Sequence, residues 1–399
     1  MIKVAYLVSH PIQYQAPLMR LLSSKPGVDL DVYFRSSFST AAYYDPGFGG
    51  KVEWDVPLLD GYKSKTLTPH PLNRISKLDF SQGLFKHLAA SGKTVLWIHG
   101  FANPYYAYVI ERALRQGVQV FIRDEVQKTG NRRSPWKERV KGAILRSWSK
   151  RGVGFLAIGT LNRDYYIAKG VDPASIFLVP YAVDREFFER LSAESRADFG
   201  PRREALGFDR DATVVLFASK FMERKRGLDL IEAFRQTYPR LLAAGVNKPV
   251  LAFAGSGEQA EALEAAVRGL PIVFLGFQNQ QSLGRLFGLV DLFVLPSRHE
   301  PWGLVVNEAM SASLPVIVSD EVGCWPDLVK DGINGFVFPA GDQPALAEAL
   351  FKAMSDPARL AAMGDESRRI IGDWGYAQDV SGILEAAAWS RARRTCEPR

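Results

Sequence analysis

The stretch that decides the fold class of this chain is residues 291–323, DLFVLPSRHEPWGLVVNEAMSASLPVIVSDEVG. An apolar strand is predicted over residues 292–295, a polar loop follows it, and a helix begins near Gly303. A second apolar strand is predicted over residues 316–318. This order of strand, loop, helix and strand is the building block of a parallel α/β sheet. Ligands of such sheets bind beyond the carboxyl ends of the strands, so we expect a ligand site in the loop before Gly303.

Two glutamates frame this loop. Glu300 and Glu308 lie eight residues apart, on either side of Gly303. A carboxylate near a bound phosphate is unfavourable unless it binds neutral groups, because like charges repel. The hydroxyl groups of a ribose or a hexose meet that condition. The loop therefore predicts a site for a phosphorylated sugar compound, and the alternative is a plain surface loop in some other α/β protein.

A second cluster consists of cations. A strand predicted over residues 214–218 is followed by Lys220, Arg224, Lys225 and Arg226. Because the carboxyl ends of parallel strands meet at one edge of a sheet, we expect these cations on the same edge as the two glutamates. Fixed cations there stabilise the negative charge that develops on a diphosphate leaving group, and they can replace a metal ion. The alternative is charge that is simply solvated on the loop.

The run EPWGLVVNEAM at residues 300–310, followed by PVI at residues 315–317, resembles a known signature. It is similar to the donor-binding segment of retaining glycosyltransferases of the large GT-B family 4, which has two acids separated by seven residues. The cation loop is similar to that family's Arg/Lys-x4-Lys pattern. The resemblance implies a GT-B fold, which has two Rossmann-like domains, a central cleft and a C-terminal crossover helix.

The resemblance also implies roles for individual residues. The expected catalytic residues are Glu300, Lys225, Lys220 and His99, the last at the end of a predicted strand. The expected donor-binding residues are Glu308, Gly303, Leu304, Arg226, Phe277 and Trp302. We expect the two lysines on the diphosphate, Glu300 on hydroxyls of the donor sugar and Glu308 on the ribose. Lys220 stands where the family usually has arginine, so a bidentate phosphate contact is lost there.

The rest of the chain alternates short apolar runs with helical patterns, which is typical of α/β proteins. We predict strands over residues 2–8, 30–34, 95–99, 118–122, 155–158, 177–179, 214–218, 250–254, 272–275, 292–295, 316–318 and 336–338. A chain of 399 residues is too long for one ordinary core. We expect an N-terminal Rossmann-like acceptor domain over residues 1–184 and a C-terminal Rossmann-like donor domain over residues 185–374. Residues 375–399 are expected to form a helix that, by resemblance, returns to the first domain, and a loose tail.

Polar residues also follow strands in the first half. His10, Gln13 and Tyr14 come after the first predicted strand, where many members of the family have a pair of glycines. We expect their side chains to face the cleft. Arg123 and Glu125 come after a later strand, and we expect them either to bind the acceptor or to pair with each other.

Composition limits the classes of function. Hydrophobic residues make up 47% of the chain and charged residues 23%, as in soluble globular proteins. No apolar run approaches the roughly 18 residues needed to cross a bilayer. Cys324 and Cys396 give neither a disulfide framework nor a metal-binding spacing, so we expect a reducing cytoplasm and no metal cofactor. The net charge of +7 favours anionic partners such as nucleotide-sugars, lipid headgroups or nucleic acid.

One segment is strongly basic. Residues 128–151 contain nine Lys or Arg and one Glu. Its apolar residues at helical spacing are Trp136, Val140, Ile144 and Trp148, with Lys137, Lys141 and Arg151 off that face. A basic amphipathic helix with tryptophans is typical of segments that bind an anionic membrane surface. The alternative is an apolar face that packs on the sheet of the first domain.

Together these features and the resemblance predict a cytoplasmic, metal-independent glycosyltransferase. Retention of configuration is implied by the resemblance alone. We expect it to move a sugar from a nucleotide-diphosphate sugar to a glycan or lipid-linked acceptor, in bacterial cell-envelope polysaccharide or glycolipid assembly. One alternative is a nucleotide-sugar epimerase or hydrolase of the same fold, which needs no acceptor. Another is a basic nucleic-acid-binding protein, which is disfavoured because the cations concentrate in one loop and one helix. A Rossmann dehydrogenase is disfavoured because no G-x-G-x-x-G follows the first strand.

Overall fold

The computed structural model describes residues 1–68, 83–101, 103–127 and 134–396. The chain divides into two compact units. Unit 1 comprises Met1–Tyr43, Val56–Ala182 and Tyr376–Arg399, and unit 2 comprises Tyr44–Asp55 and Val183–Gly375. These units divide after Ala182 and after Gly375, whereas the expected boundaries follow residues 184 and 374. The segment 44–55 differs, because the sequence placed it in the first domain and the structure packs it with the second.

The described elements follow one another in chain order. The strands are β1 Ile2–Val8, β2 Val28–Ser36, β3 Tyr43–Asp45, β4 Gly50–Val52, β5 Lys63–Thr68, β6 Val95–His99, β7 Gln119–Arg123, β8 Gly154–Ala157, β9 Ile176–Leu178, β10 Val214–Ala218, β11 Val250–Ala254, β12 Ile272–Phe274, β13 Leu292–Leu295, β14 Val316–Ser319 and β15 Gly335–Phe338. The helices are α1 Ala16–Ser24, α2 Leu84–Ser91, α3 Pro104–Arg115, α4 Pro135–Lys150, α5 Thr160–Ala168, α6 Arg185–Arg196, α7 Phe199–Ala205, α8 Gly227–Ala243, α9 Ala260–Ala265, α10 Gln280–Phe287, α11 Leu304–Ser311, α12 Trp325–Leu328, α13 Gln343–Met354, α14 Pro357–Gly372 and α15 Tyr376–Cys396. Short 3-10 helices lie at Pro173–Ser175 and Glu223–Lys225.

Unit 1 is built on a parallel sheet of seven strands in the order β5-β2-β1-β6-β7-β8-β9. Side chains of a strand alternate between its two faces. In β1, Tyr6 and Val8 therefore join the core on the side of α1 and α15. Ala5 and Leu7 join the core on the side of α3, α4 and α5. Both faces are covered, which explains why the strand reads as a continuous apolar run.

Unit 2 has a parallel sheet of six strands in the order β12-β11-β10-β13-β14-β15. Val215 and Phe217 of β10 face a core that includes Phe234 of α8 and Leu350 of α13. All five residues of β10 are buried, as the apolar run over 214–218 predicted. Strand β10 lies in the middle of the sheet, so the loop after it opens at the central part of the carboxyl edge.

Helix α15 belongs to unit 1 and packs against its sheet through Val380 and Ala386. The contact is close at Gly382, where an added Cβ atom would lie 1.9 Å from the carbonyl oxygen of Leu178. A side chain at this position would push the helix away from β9. The helix that the resemblance implied would return to the first domain therefore belongs to unit 1.

Every predicted strand is found, with bounds that shift by at most two residues. The sequence missed β3, β4 and β5. Strand β5 reads KSKTLT and lies at the edge of its sheet, where lysines are common because they discourage pairing with other chains. Its polar composition hid it from a search for apolar runs.

Candidate functional site

The cation loop of unit 2 starts where β10 ends. Lys220 follows the strand, and Lys225 closes the short 3-10 helix of residues 223–225. Arg226 has a left-handed backbone with φ of +58°, and α8 begins directly after it. The guanidinium of Arg226 donates to Asp229 at 2.6 Å, in the first turn of that helix. The loop thus turns sharply, and it presents its cations at the carboxyl edge of the sheet.

Glu300 is the residue at this edge that two cations of the loop contact. Its carboxylate accepts hydrogen bonds from the buried Lys225 ammonium and, at 3.0 Å, from Arg224 Nη1. Burial alone raises the pKa of Glu300, but the attraction of the two cations outweighs that effect and holds the pKa below its usual range. The carboxylate is therefore ionised at neutral pH. The structure brings Glu300 and Lys225 together as a pair, which the separate roles expected from the sequence did not anticipate.

The backbone around Glu300 is fixed by a tight turn. Gly303 has φ of +94° and precedes α11. An added Cβ atom there would lie 2.9 Å from Cγ1 of Val322, so both the dihedral angle and the available space require glycine. Glu300 also bonds through its own backbone to Glu321 and Gly323, in the loop after β14. These contacts place Gly303 and Leu304 at the start of the helix, as the sequence predicted.

Glu308 lies one turn further along α11 and is buried. Burial raises the pKa of its carboxyl group to about 8. Glu300 and Glu308 thus differ at neutral pH, since the first is charged and the second largely neutral. A neutral carboxyl group can donate a hydrogen bond as well as accept one.

Trp302 is also buried, and its indole N–H donates to Asn307 Oδ1 at 2.9 Å. Its ring stacks on Trp374 with centroids 5.7 Å apart. The sequence assigned Trp302 to donor binding. In the structure it also packs the start of α11 against the last residues of unit 2.

The segment 44–55, which carries β3 and β4, reaches this same edge. The Lys220 ammonium contacts both carboxylate oxygens of Asp45 at 2.9 Å. It also lies 4.7 Å from the centre of the Phe48 ring. Phe277, which follows β12, packs edge-on against Phe48 with centroids 4.7 Å apart. Lys220, expected on the diphosphate, and Phe277, expected at the donor, therefore both contact this segment.

At the carboxyl edge of unit 1, His99 ends β6 and is enclosed by polar side chains. The Tyr181 hydroxyl lies 3.0 Å from its Nε2 atom and donates to Glu125 at 2.7 Å. The Gln15 side-chain amide lies 3.2 Å from its Nδ1 atom and accepts from the Tyr6 hydroxyl at 2.7 Å. Because Tyr181 donates to Glu125, its oxygen is the acceptor for Nε2–H. Nδ1 is then the acceptor for Gln15.

His99 is held in its neutral form by this surrounding. Burial is the main cause, and the nearby Arg123 adds to it, so that the pKa of His99 falls to about 3. Both ring nitrogens already have protein partners. A ligand contact through His99 would therefore require one of these partners to be exchanged.

Of the other residues expected in unit 1, His10 and Tyr14 lie beside this network. His10 Nδ1 lies 2.9 Å from the Ser9 hydroxyl, and burial lowers the pKa of His10 to about 4. The Tyr14 ring lies 5.4 Å from that of Tyr181. Gln13 is half-buried in the turn before α1.

Arg123 does not lie on the surface. It is 1% exposed, and its guanidinium bonds to Asp379 of α15 at 3.1 Å and to the carbonyl oxygens of Val179 and Pro180. The sequence placed Arg123 with the acceptor or in a pair with Glu125. The structure instead gives it a partner in the C-terminal helix and leaves Glu125 exposed at the end of the network of His99.

The amphipathic helix α4 splits its apolar face. Trp136, Val140 and Ile144 are 62%, 50% and 41% exposed, whereas Trp148 is buried in the core of unit 1. The exposed residues border a groove of about 720 Å³. The expectation that Trp148 shares an exposed face with Trp136 is therefore wrong. Residues 128–133 of the basic segment lie outside the described part of the chain.

With this geometry described, the comparison with known families identifies unit 2. Residues 198–370 match the family model of glycosyl transferases group 1. Unit 2 carries a glycosyltransferase group 1 domain. The match includes the cation loop, Phe277 and both glutamates.

Individual relatives agree with this assignment. An uncharacterized glycosyltransferase of Methanocaldococcus jannaschii is 32% identical over 214 residues, which cover 51% of this chain and 48% of that protein. The aligned region thus spans about half the length of that relative.

Solved structures show the same architecture over nearly the whole chain. Sucrose-phosphate synthase of Thermosynechococcus elongatus matches with a TM-score of 0.71 at 20% identity, covering 98% of this chain and 100% of that one. Anabaena HepE in complex with UDP and glucose matches with a TM-score of 0.69 at 16% identity, covering 97% and 100%. These similarities confirm the predicted GT-B fold.

Several features of the candidate site were not visible in the sequence. Asp45 lies 175 residues before its partner Lys220, and no periodic pattern marks it. Tyr181 comes shortly after β9, and this position could have marked it as a candidate. It was not predicted because it is uncharged. Among the described residues, no group of three or more His, Cys, Asp or Glu side chains is arranged to hold a metal ion. None of the described helices is long and apolar enough to span a membrane.

Proposed function

We propose that this protein transfers a sugar from a nucleotide-diphosphate sugar to a hydroxyl group of an acceptor, with retention of configuration. The observation that carries this proposal is the buried pair of Glu300 and Lys225, joined by the exposed Arg224 and lying within the glycosyltransferase group 1 domain. A charged carboxylate held among cations suits a ligand that combines hydroxyl groups with phosphates. The similar Anabaena structure, solved with UDP and glucose, supports a nucleotide-sugar as the donor.

We propose a role for each candidate site residue of unit 2. Lys220, the more accessible lysine, binds the diphosphate, and Lys225 adds charge there while it orients Glu300. Glu300 binds hydroxyls of the donor sugar, and Glu308 binds the ribose. The further donor contacts come from Arg226, Phe277, Trp302 and the backbone N–H groups of Gly303 and Leu304.

The chemistry needs charge stabilisation more than a protein nucleophile. The bond between the anomeric carbon and the diphosphate oxygen breaks, and the diphosphate keeps the electron pair. The acceptor oxygen bonds to the same face of that carbon, and its proton passes to the leaving diphosphate. Fixed cations lower the energy of this step because the negative charge grows beside them. We propose that the lysines supply this charge without a metal ion.

A screen of nucleotide-sugars by thermal unfolding tests the donor. A ligand at about a hundred times its dissociation constant adds about 2.7 kcal/mol to the free energy of unfolding, so the cognate donor should stand out. Product analysis with the best donor follows, with and without acceptor mixtures. Release of free sugar or an isomerised donor at full rate without acceptor would instead identify a hydrolase or epimerase. Absence of any stabilising nucleotide-sugar would contradict the proposal.

The acceptor is proposed to be lipid-linked or close to a membrane, with the enzyme peripheral on the inner face of the cytoplasmic membrane. Helix α4 exposes Trp136, Val140 and Ile144 in one row. Lys137 lies beside them, with its ammonium 5.7 Å from the centre of the Trp136 ring. Exposed apolar residues next to cations favour the interface of an anionic bilayer. Envelope polysaccharide or glycolipid assembly offers acceptors of this kind.

Sedimentation with vesicles tests the membrane proposal. Binding to anionic vesicles should exceed binding to neutral vesicles and should weaken with salt. Trp136→Ala and Lys137→Gln should each reduce it severalfold, because each basic residue near such a surface contributes roughly 1 kcal/mol. The exposed Lys352→Gln, on α13 of the other unit, is a matched control. Equal binding to both vesicle types, or none, would favour a soluble acceptor.

A further inference from the structure

The segment 44–55 interrupts the chain of unit 1 and packs on unit 2. Its contacts lie at the carboxyl ends of three neighbouring strands. Asp45 contacts Lys220 after β10, the carbonyl oxygen of Phe48 accepts from Ser256 after β11 at 2.7 Å, and Asp55 accepts from the backbone of Gln281 after β12 at 3.0 Å. The segment therefore follows the edge where the proposed donor would bind its base and diphosphate.

The packing of this segment is close. Gly47 lies against the Lys220 side chain, and an added Cβ atom there would lie 2.7 Å from Lys220 Cδ. The carbonyl oxygen of Gly47 would in turn lie 2.8 Å from a Cβ atom added at Gly257. Asp45 Oδ1 also accepts from the backbone N–H of Gly47 at 2.8 Å, which holds the carboxylate in place. The contact with Lys220 is thus built into the fold of the segment.

A carboxylate and a phosphate compete for the same partner, since both offer anionic oxygens to a lysine ammonium. Asp45 contacts Lys220 with both oxygens, and its side chain is only 14% exposed. The charge of Lys220 is therefore already paired with that of Asp45. A donor diphosphate cannot add to this pair without repulsion from Asp45.

We infer that Asp45 occupies the diphosphate position at Lys220 and that the donor must displace its carboxylate to bind. The rest of the segment stays as one wall of the nucleotide site, with Phe48 against Phe277. This inference rests on the proposed function and adds two site residues to it. The apparent affinity for the donor is then reduced by the fraction of molecules in which Asp45 holds Lys220.

Nucleoside diphosphates provide the test, because they carry the competing group and need no acceptor. UDP, ADP, GDP and dTDP are titrated calorimetrically against the wild-type protein, and the tightest is carried forward with its nucleoside. Asp45→Asn removes the charge but keeps an oxygen that can accept from Gly47. It should lower the dissociation constant of the diphosphate about threefold to tenfold, as expected when an ion pair that competes at a partly exposed site is removed. The dissociation constant of the nucleoside should not change.

Two further variants isolate the pair. In the Lys220→Ala background, Asp45→Asn should have no effect on diphosphate affinity, because the coupling needs both partners. Asp209→Asn, which breaks an exposed pair with Lys248, should leave the affinity at its wild-type value. If Asp45→Asn does not fold, amide hydrogen exchange of wild-type residues 44–55 replaces it. Exchange there should then rise with the diphosphate and not with the nucleoside.

The outcomes separate this inference from the proposed function. If no nucleoside diphosphate binds the wild-type protein, the proposed function fails. If one binds and Asp45→Asn leaves its affinity unchanged or weakens it, only the inference is overturned, and Asp45 then merely supports Lys220. Unchanged exchange in residues 44–55 on diphosphate binding would overturn it as well.

Discussion

The carboxyl edges of the two sheets hold polar residues at equivalent places, but the residue in one sheet is neutral and that in the other is charged. In unit 1, His99 is kept neutral by burial and bonds to the uncharged groups of Tyr181 and Gln15. In unit 2, Glu300 is kept ionised by the adjacent Lys225. Neutral donors and acceptors suit hydroxyl groups, whereas fixed charges suit a diphosphate. One type of sheet thus provides two kinds of polar edge, because the loops after the strands differ.

The largest expected effect comes from removing the charge of Glu300 in unit 2. Glu300→Gln should lower turnover at least about 100-fold, because the lost contacts act on the transition state. Lys225→Ala should have a similar effect. The measurement is the initial rate at saturating donor, with circular dichroism to confirm folding.

Glu348→Gln is the control for this experiment. Its carboxylate also pairs with an arginine, Arg240, at 2.9 Å, but on the surface of the unit. It should keep wild-type turnover. A folded Glu300→Gln variant with turnover near wild type would contradict the proposal that the charge of Glu300 is needed for turnover.

A smaller effect is expected at the neutral edge. Tyr181→Phe removes the acceptor of His99 Nε2–H and should lower turnover about tenfold, which corresponds to one hydrogen bond of roughly 1.4 kcal/mol. The ratio of turnover in Tyr181→Phe to that in wild type should stay constant between pH 6 and 9, since His99 is neutral throughout that range. The measurement is the pH profile of both proteins. A ratio that follows a group titrating near neutral pH would show that His99 becomes charged.

Glu308 and His99 should change the pH dependence of stability in opposite directions. The folded-state pKa of Glu308 is about 8 against an ordinary value of 4.5, so its contribution is complete below pH 4.5 and is lost as pH rises through 8. Glu308→Gln should therefore flatten the loss of stability between pH 5 and 8. The measurement is chemical denaturation at several pH values. A slope identical to wild type would mean that Glu308 titrates normally.

For His99 the sign is reversed. The pKa of His99 is lowered from 6.5 to about 3, so its contribution is present above pH 6.5 and is lost as pH falls toward 3. His99→Gln should flatten the loss of stability on that acidic side and leave the alkaline side unchanged. If the free energy of unfolding of this variant falls more steeply with decreasing pH below pH 6 than that of wild type, the claim that His99 is held neutral is contradicted.

The smallest effect is expected from metal removal. Excess chelator should change turnover by less than about twofold, because the cations of the loop supply the charge that a metal would provide. Rates are compared before and after dialysis against the chelator, with added magnesium or manganese as the reverse test. Complete loss that either metal restores would show that the charged edge needs an ion as well.

The sequence predicted most of the frame and part of the site. Strands such as β1 and β10 are buried on both faces, so they read as apolar runs with clear ends. The ends of the predicted strands gave the positions of the loops that follow. Glu300, Lys225 and His99 were predicted as site residues from these positions. Local patterns are sufficient where a residue follows directly after a strand.

Pairings between distant segments were not predictable in this way. Asp45 meets Lys220, and Arg123 meets Asp379, across long stretches of sequence that carry no shared period. The exposure of Trp136 and the burial of Trp148 likewise depend on where α4 contacts the core, since both residues fit the same helical spacing. Such facts require the tertiary structure.

The pair of Arg123 and Asp379 has a consequence for the order in which the chain folds. The two residues are 256 positions apart, and all of unit 2 after Ala182 is made between them. During synthesis Arg123 has no Asp379 to pair with until α15 is made. Unit 2, in contrast, has all of its residues once Gly375 is made. Domains generally fold as units as they leave the ribosome. The unit that is begun first is therefore completed last.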